Sequence, residues 1–383
     1  MPLDFDARPI LVFWESTRAC ALACRHCRAD AIPTPLPGEL STAEGHELVR
    51  SLTRFGRPYP VLIITGGDVL MRSDVFELVA EARALGVPVG LAPSVTPRLT
   101  PQAVASMAEL GVAAVSVSLD GAQATTHESI RGVAEHFPAT VAALRQLVAA
   151  GLTVQVNTAV MRDNVTELPG VAALLGDLGV KVWEVFFLVP VGRGQANEVL
   201  SPAEHEDVFH FLYEASAYDL VVRTVEGPAF RRVVAWRQQD ELPRGSDPAL
   251  VADHWGLGPL YRQLASDLLA RRGRPTSPPR AQSTGTRDGR GVIFIAHDGT
   301  VYPAGFLPLA LGNVRQKNLA TIYRENQLLQ DIRAARFSGR CGRCPYRDVC
   351  GGSRARAYAW AGNPLAEDPA CGYQPTGAVV AQG

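Results

Sequence analysis

The chain has 383 residues, of which 47% are hydrophobic and 20% are charged, and its formal net charge at pH 7 is −1. This near-neutral balance gives no electrostatic reason to expect nucleic acid or an anionic membrane surface as a partner. The sequence has no apolar run of about 18 residues, the length that a membrane-spanning helix needs, and no secretory signal, so we expect a cytoplasmic protein.

Seven cysteines occur in two groups, with three near the start of the chain and four near its end. An odd number in two groups argues against a disulfide framework and favours metal sites in a reducing compartment. The first group is Cys20, Cys24 and Cys27, and it directly follows an apolar run that predicts the first strand. A cubane iron–sulfur cluster normally takes four thiolates. Three thiolates on one loop would leave one iron open to a small chelating molecule.

This cysteine loop resembles that of the radical S-adenosylmethionine (SAM) superfamily, in which the open iron binds the amino and carboxylate groups of SAM. The resemblance implies one [4Fe-4S] cluster on Cys20, Cys24 and Cys27, with SAM bound to it. The alternatives are three ordinary thiols, or a zinc site that would need a fourth nitrogen or sulfur ligand. His26 stands where the superfamily usually has an aromatic residue, and we interpret it as a packing residue and not a ligand.

Between residue 10 and about residue 189, apolar runs rich in β-formers alternate with amphipathic helical patterns. The predicted strands are Ile10–Glu15, Val61–Thr65, Val87–Ala92, Ala114–Ser118, Thr153–Thr158 and Val182–Leu188, and the predicted helices are Thr42–Phe55, Ser73–Leu85, Pro101–Leu110, Phe137–Ala150 and Val165–Leu178. Six such units predict an α/β fold with a parallel sheet and external helices. The resemblance implies a partial (β/α)6 radical SAM barrel, in which ligands gather at the carboxyl ends of the strands.

Two strand-end motifs fit that arrangement. Gly66, Gly67 and Asp68 follow the second strand, and two glycines let the backbone approach a ligand closely. In the superfamily this position binds the SAM amino group through backbone carbonyls. Ser94, after the third strand, resembles the residue that contacts the SAM ribose and carboxylate.

Three further polar positions lie at or after the fourth and fifth strands. The SVSLDG segment at residues 116–121 contains Ser118 and resembles a sequence seen widely in the superfamily. The resemblance implies that Arg131 pairs with the SAM carboxylate, since a guanidinium forks onto a carboxylate; a solvated arginine at a helix end is the alternative. Asn157 commonly faces the cofactor in relatives, and a buried structural asparagine is the alternative. No residue is predicted as a general acid or base.

The last third of the chain has a different character. Residues 219–290 form a less regular, proline-rich connection of the kind found in linkers and lids. A hairpin is predicted from Val292–Ala296 and Val301–Pro303 around an Asp-Gly turn, and a helix over Leu319–Ala335. The second cysteine group follows, and its members are Cys341, Cys344, Cys350 and Cys371. Four thiolates can close an iron–sulfur cluster or a tetrahedral zinc site, and spacing alone does not separate the two.

The C-terminal unit resembles the SPASM extension of radical SAM enzymes. Because the same chain also resembles a radical SAM core, an iron–sulfur cluster is favoured over zinc at these four cysteines. Two auxiliary clusters are common in that extension, but Ala304 and Ser353 stand where cysteines of the second one are frequent. We therefore expect two [4Fe-4S] clusters in all, one that binds SAM and one auxiliary. The predicted domains are the radical SAM partial barrel at residues 1–218, a connecting or lid segment at 219–290, and the SPASM-like domain at 291–383.

Most of the chain is similar to the SPASM enzymes of tetrapyrrole maturation. That resemblance implies reductive cleavage of SAM to a deoxyadenosyl radical, hydrogen abstraction, and loss or oxidation of an acetate or propionate side chain. Arginines suit such carboxylates because their contacts are bidentate. The candidates are Arg223, Arg231, Arg232, Arg354 and Arg356, and solvated surface charges are the alternative.

Two other functions stay open from the sequence. The first is a radical SAM/SPASM maturase that acts on a ribosomally made precursor peptide. The second is a zinc- or cluster-bearing regulatory protein, which the paired glycines and the open three-cysteine loop disfavour. The expected partners are a small-molecule tetrapyrrole or a precursor peptide, and a low-potential electron donor such as flavodoxin or ferredoxin.

Overall fold

The structure, a computed structural model, describes residues 4–243 and 245–375. Its strands are β1 (Leu11–Thr17), β2 (Val61–Gly66), β3 (Val89–Leu91), β4 (Ala114–Ser118), β5 (Val154–Val160), β6 (Val182–Phe187), β7 (Val221–Val225), β8 (Val292–Ile295), β9 (Thr300–Tyr302) and β10 (Gly312–Asn313). Its helices are α1 (Thr42–Ser51), α2 (Val75–Ala84), α3 (Pro101–Glu109), α4 (Ala124–Arg131), α5 (His136–Ala149), α6 (Leu168–Asp177), α7 (Pro202–Ala215), α8 (Phe230–Gln238), α9 (Pro248–Trp255), α10 (Pro259–Arg272), α11 (Leu319–Glu325), α12 (Gln327–Arg333), α13 (Gly339–Arg343) and α14 (Arg354–Ala361).

The described strands form one sheet in the order β10-β9-β8-β1-β2-β3-β4-β5-β6-β7. Strands β1 to β7 are parallel to their neighbours, and β8 pairs in parallel with the other side of β1. Strands β9 and β10 add an antiparallel edge. The predicted α/β partial barrel is confirmed, because the six predicted strands are β1 to β6 and lie side by side in chain order. The sheet then continues into β7 and β8.

The two faces of the sheet differ in polarity, because successive side chains of a strand point to opposite faces. On β6, Trp183, Val185 and Phe187 are buried in the main core, which also contains apolar side chains of the flanking helices. Glu184 and Phe186 point to the other face and are only partly buried. The helices therefore cover one face, and the other face can receive a ligand.

The segment at residues 219–290 is more regular than predicted, since it contains β7, α8, α9 and α10. Helix α10 buries Tyr261, Leu264, Ala265 and Leu268. These residues have the spacing of an amphipathic helix. Charged neighbours in between obscure that pattern in the sequence.

Two helices also differ from the prediction. Helix α4 is not among the predicted helices; it is eight residues long and is capped by Gly132 in the left-handed conformation, with φ of 71°. The helix predicted over Leu319–Ala335 is divided into α11 and α12 at Asn326. The Asn326 side chain accepts a hydrogen bond from the backbone N–H of Leu329 and so caps α12, which favours a new helix over a continuous one.

The predicted domain limits remain predictions, although β7 and β8 lie beyond the predicted barrel and belong to the same sheet. The outermost limits, residues 1 and 383, lie outside the described residues. Among the described helices, none is long and apolar enough to cross a membrane.

Glu15, at the end of β1, connects the cysteine loop with the C-terminal hairpin. Its buried carboxylate pairs with Arg28 of the cysteine loop and accepts a hydrogen bond at 3.0 Å from Nδ1 of His297, in the turn between β8 and β9. The Arg28 guanidinium also donates to the carbonyl of Gly305 and lies 4.6 Å from the ring centre of Phe294. Burial alone would raise the pKa of Glu15, but Arg28 and His297 outweigh burial and lower it.

We expect Glu15→Gln to reduce the free energy of unfolding by about 2–4 kcal/mol, because it leaves a partly buried guanidinium without its counter-ion. The folded pKa of Glu15 lies below its ordinary value of 4.5. The wild-type contribution is therefore complete above that value and is lost as pH falls through the folded pKa. Urea unfolding between pH 3 and pH 8 measures both effects.

The matched control is Asp253→Asn, which removes an exposed ion pair with Arg262. Exposed pairs contribute about 0–1 kcal/mol, so this variant should unfold nearly as wild type does. An equal loss in the two variants would contradict the role assigned to Glu15.

Candidate active site

The three N-terminal cysteines lie on a loop that leaves β1 at its carboxyl end. The loop closes where the backbone N–H of Cys20 donates to the carbonyl of Ile32 at 2.8 Å. Cys20 and Cys24 are buried, Cys27 is partly buried, and all three pack with Leu22 in a small cluster apart from the main core. The three thiols therefore share one compact, partly enclosed loop, as the predicted cluster requires.

The segment that follows β6, which was not predicted to belong to the site, holds this loop. Strand β6 lies five strands away from β1 in the sheet. Arg193, after β6, donates from its backbone N–H to Cys27 at 3.0 Å, and from its guanidinium to the carbonyls of Cys24 and Ala31 at 2.8 and 2.9 Å. A Cβ at Gly192 would lie 2.4 Å from the carbonyl oxygen of Cys27, so only glycine permits this approach. The only sequence signal is an arginine between two glycines.

The paired glycines after β2 pack against the chain that enters the cysteine loop. A Cβ at Gly66 would lie 2.2 Å from the carbonyl oxygen of Thr17, and one at Gly67 would lie 2.3 Å from that of Ala19. Both distances are far shorter than a carbon–oxygen contact. The glycines are therefore needed to bring the end of β2 beside the loop, which places the predicted SAM-binding motif next to the predicted cluster.

Ser94 and Asp68 connect the paired glycines after β2 to the end of β3. The Ser94 hydroxyl donates to the carbonyl of Gly67 at 3.0 Å and lies 3.7 Å from the sulfur of Cys20. The buried Asp68 carboxylate accepts from the backbone N–H of Ser94 and, at 2.8 Å, from the hydroxyl of Thr96. Burial raises the pKa of Asp68. Asp68 thus positions the loop after β3, while Ser94 lies directly beside a predicted ligand.

Arg131 lies at the end of α4 and is buried, so the alternative of a solvated arginine is wrong. Its guanidinium pairs with the buried carboxylate of Asp120 at 2.5 Å and donates to the sulfur of Cys24 at 3.6 Å. His26 approaches the same carboxylate at 3.4 Å. Burial lowers the pKa of His26 to about 4, so the imidazole is neutral near pH 7. The guanidinium predicted to meet the SAM carboxylate therefore has Asp120 and Cys24 as its partners here.

Ser118 and Asn157 are direct partners in the pairing of β4 with β5, and both are partly buried on the face away from the helices. The side-chain oxygen of Asn157 accepts from the amide of Gln155 at 2.8 Å. Gln155 donates also to the carboxylate of Glu184 on β6, at 2.8 Å. Asn157 is thus partly buried and belongs to a polar group on the face away from the helices, and its predicted role toward the cofactor stays a prediction.

The four C-terminal cysteines line a single cavity, together with Arg232 and Asp368. The backbone N–H groups of Asp368, Tyr346 and Gly352 lie 3.4 Å from the sulfurs of Cys341, Cys344 and Cys350, in that order. The backbone N–H of Tyr373 also hydrogen-bonds to Cys371 and opposes the rise of its pKa. Amide donors of this kind stabilise thiolates, and hydrogen bonds to sulfur tune iron–sulfur clusters. The donor set and its surroundings therefore fit a fully ligated cluster.

Burial raises the pKa of Cys350 to about 12 and that of Cys371 to about 11, so metal binding would have to release their protons. Ser353, the residue in place of a further cysteine, caps α14 and bonds to Glu226. Among the described side chains, no three His, Cys, Asp or Glu residues are grouped as around a single metal ion. In a cubane cluster each thiolate binds a separate iron.

Four of the five arginines predicted to bind carboxylates are engaged inside the protein. Arg231 and Arg354 donate to backbone carbonyl oxygens. Arg232 and Arg356 form ion pairs with buried or partly buried carboxylates. Within residues 4–243 and 245–375, the guanidinium of Arg223 makes no hydrogen bond or ion pair, and its side chain is exposed.

Comparison with known proteins identifies the family. Residues 14–175 match the radical SAM superfamily, and residues 287–345 match the SPASM iron-sulfur cluster-binding domain. An AdoMet-dependent heme synthase of Nitratidesulfovibrio vulgaris is 35% identical over 95% of this chain and 92% of its own length. The chain belongs to the radical SAM superfamily. It is an enzyme, and its cofactors are SAM and [4Fe-4S] clusters, one that binds SAM and one auxiliary.

Other relatives have different activities. A pre-heme d1 synthase of Dinoroseobacter shibae is 29% identical over 94% of this chain and 85% of its own length. The mycofactocin maturase MftC of Mycobacterium ulcerans is 30% identical over 95% of this chain and 88% of its own length. The fold is similar to the crystal structure of Streptococcus suis SuiB bound to its precursor peptide, with TM-score 0.69, 12% identity, and coverage of 96% of this chain and 76% of that one.

We expect Arg193→Gln to lower the iron content of the reconstituted protein, because the cysteine loop loses hydrogen bonds from a charged group to two of its carbonyls. Such bonds contribute about 1.5–3 kcal/mol each. Iron and acid-labile sulfide per chain, measured after anaerobic reconstitution and desalting, report the effect. The control is Arg162→Gln, an exposed arginine paired with Glu204. Wild-type iron content in Arg193→Gln would show that the arginine does not hold the loop.

Proposed function

We propose that this enzyme reductively cleaves SAM and modifies a carboxylate-bearing side chain of a tetrapyrrole. The observation that carries the proposal is likeness along the whole chain to relatives named AdoMet-dependent heme synthase, at 33–35% identity. The matched region covers 95–96% of this chain. Arg223 on β7, which has no hydrogen bond or ion pair among the described residues, supports a substrate that carries carboxylates.

For the SAM-binding cluster we propose Cys20, Cys24 and Cys27 as ligands. A reduced cluster held by these thiolates would supply the one electron that cleaves SAM to methionine and a deoxyadenosyl radical, and that radical would take the hydrogen atom from substrate. Arg193 holds the loop that carries the thiols. Arg131, beside Cys24, places a positive charge next to a predicted thiolate and stabilises its ionised form, although burial raises the pKa of the Cys24 thiol.

The SAM-binding residues that we propose surround this loop. Gly66 and Gly67 bring a strand end and its carbonyl groups to the loop, and Asp68 fixes the position of Ser94. Ser118, Arg131 and Asn157 complete the set, with Ser118 and Asn157 on the open face. These residues position the bound molecule and exclude water from it.

For the auxiliary cluster we propose the four C-terminal cysteines, which line one cavity. With no open iron, such a cluster carries electrons. A one-electron donor of low potential, such as flavodoxin or ferredoxin, would supply the SAM-binding cluster, and we place the reaction in the cytoplasm.

A second candidate is the maturation of a ribosomally made peptide. The likeness to MftC supports it, as does the similarity in fold to a structure that contains a precursor peptide. Strand β7, the last of the sheet among the described strands, could pair along its outer edge with an extended peptide. The identity to the heme synthases is higher, and we therefore place the tetrapyrrole first.

The test is deoxyadenosine release by anaerobically reconstituted protein with SAM and dithionite, with and without iron coproporphyrin III. We expect the porphyrin to stimulate release severalfold and to lose mass from its side chains. Cys24→Ala should abolish release, because the proposed cluster loses a ligand. Slow deoxyadenosine release at the same rate with and without the porphyrin, with no change in porphyrin mass, would contradict the tetrapyrrole proposal and favour a peptide substrate.

A further inference from the structure

Four polar side chains stand in one row across the open face of the sheet. Ser118 on β4 pairs directly with Asn157 on β5, Asn157 pairs with Glu184 on β6, and Glu184 pairs with Arg223 on β7. Their neighbours along the strands, such as Val117, are buried in the helix-covered core. The row therefore lies on the face away from the helices.

Hydrogen bonds from Gln155 connect Asn157 and Glu184, the two middle members of this row. The side-chain amide of Gln155 donates at 2.8 Å to both Asn157 and Glu184. Glu184 is thereby fixed, and burial raises its pKa while the positive charge of Arg223 opposes this rise. The row leads from Asn157, a proposed SAM-facing residue, to a guanidinium on the last strand of the sheet.

Arg223 differs from the other four arginines that were predicted to bind carboxylates. The guanidinium groups of Arg231, Arg232, Arg354 and Arg356 are occupied by carbonyls or carboxylates of the protein. Arg223 attracts Glu184 across the strand pair, but within the described residues it forms no ion pair and no hydrogen bond. Arg223 can therefore take up an external carboxylate without breaking a hydrogen bond or ion pair to any described residue.

We infer that Arg223 is a specificity-determining residue that binds a carboxylate of the substrate at the open edge of the sheet. The inference rests on the proposed function and names the part of the site that would recognise a propionate or acetate side chain of a tetrapyrrole. The planar guanidinium offers two parallel N–H donors to a carboxylate, which fixes the orientation as well as the charge.

The spacing of the row suits this role. Neighbouring strands lie about 4.8 Å apart, so the backbones of Asn157 and Arg223, two strands apart, are separated by about 10 Å. A macrocycle with one carboxylate held at β7 would extend along the row toward the SAM-facing strands. Because β7 is the last strand of the sheet in the described part of the chain, no further strand blocks the approach to Arg223 from that side.

The experiment is an absorbance titration of the reconstituted enzyme with iron coproporphyrin III, which measures binding without turnover. We expect Arg223→Gln to weaken binding about ten- to a hundredfold, the usual effect of losing a charged hydrogen-bonded pair. The affinity of Arg223→Lys should lie between those of wild type and Arg223→Gln, because lysine keeps the positive charge but lacks the two parallel N–H donors of arginine. Arg145→Gln, which replaces an exposed arginine on the outer helix α5, should bind as wild type does.

The esterified porphyrin supplies the second arm. Wild type should bind the ester about ten- to a hundredfold more weakly than the acid, whereas Arg223→Gln should bind the two forms nearly equally. Since Arg223 makes no internal hydrogen bond or ion pair among the described residues, the variant should keep wild-type iron content and thermal unfolding.

Equal affinity of wild type and Arg223→Gln for the acid would overturn the inference, whatever the enzyme does with the bound porphyrin. Arg223-dependent binding with no change in the porphyrin on reduction with SAM would support the inference and overturn the proposed function. Absence of porphyrin binding by wild type would overturn both.

Discussion

The site depends on the backbone of the three-cysteine loop being held from several strand ends at once. Arg193 binds two carbonyls of the loop from the end of β6, and the paired glycines bring the end of β2 against its entrance. Glu15 and Arg28 fasten its exit to the C-terminal hairpin. Because parallel strands end at one edge, residues far apart in sequence meet at this loop. Holding the three thiols in fixed positions costs the loop conformational entropy, and these contacts offset that cost.

Arginines occur in three different surroundings in this protein, and those surroundings indicate whether each one stabilises the fold or is available to bind a ligand. Next to Cys24, the Asp120 and Arg131 pair is buried, where removal of either partner would leave an uncompensated charge. Around the auxiliary cysteines, arginines satisfy backbone carbonyls and carboxylates, and so fix the fold of the C-terminal unit. At the edge of the sheet, the Arg223 guanidinium is not committed in this way. Arginine therefore has a structural role in the first two places and a proposed recognition role in the third, and only its surroundings distinguish them.

The sequence was sufficient for those features that depend on local pattern. The cysteine spacing, the six strands and the glycine pair can each be read within a short window, and the structure places them side by side. Contacts that depend on register or on distant chain segments could not be predicted, as for Arg193 at the cysteine loop or Gln155 bridging Asn157 and Glu184. The five candidate arginines make the same point, because sequence cannot tell a paired guanidinium from a free one. Helix α10 was missed for a different reason, since its buried stripe is broken up by charged residues.

The most direct test of the central claim follows the hydrogen atom itself. Iron coproporphyrin III deuterated in its propionate side chains would be incubated anaerobically with the enzyme, SAM and a low-potential reductant, and both products analysed by mass spectrometry. We expect deuterium in the deoxyadenosine and a matching loss of mass from the porphyrin. Unlabelled deoxyadenosine together with intact porphyrin would contradict it.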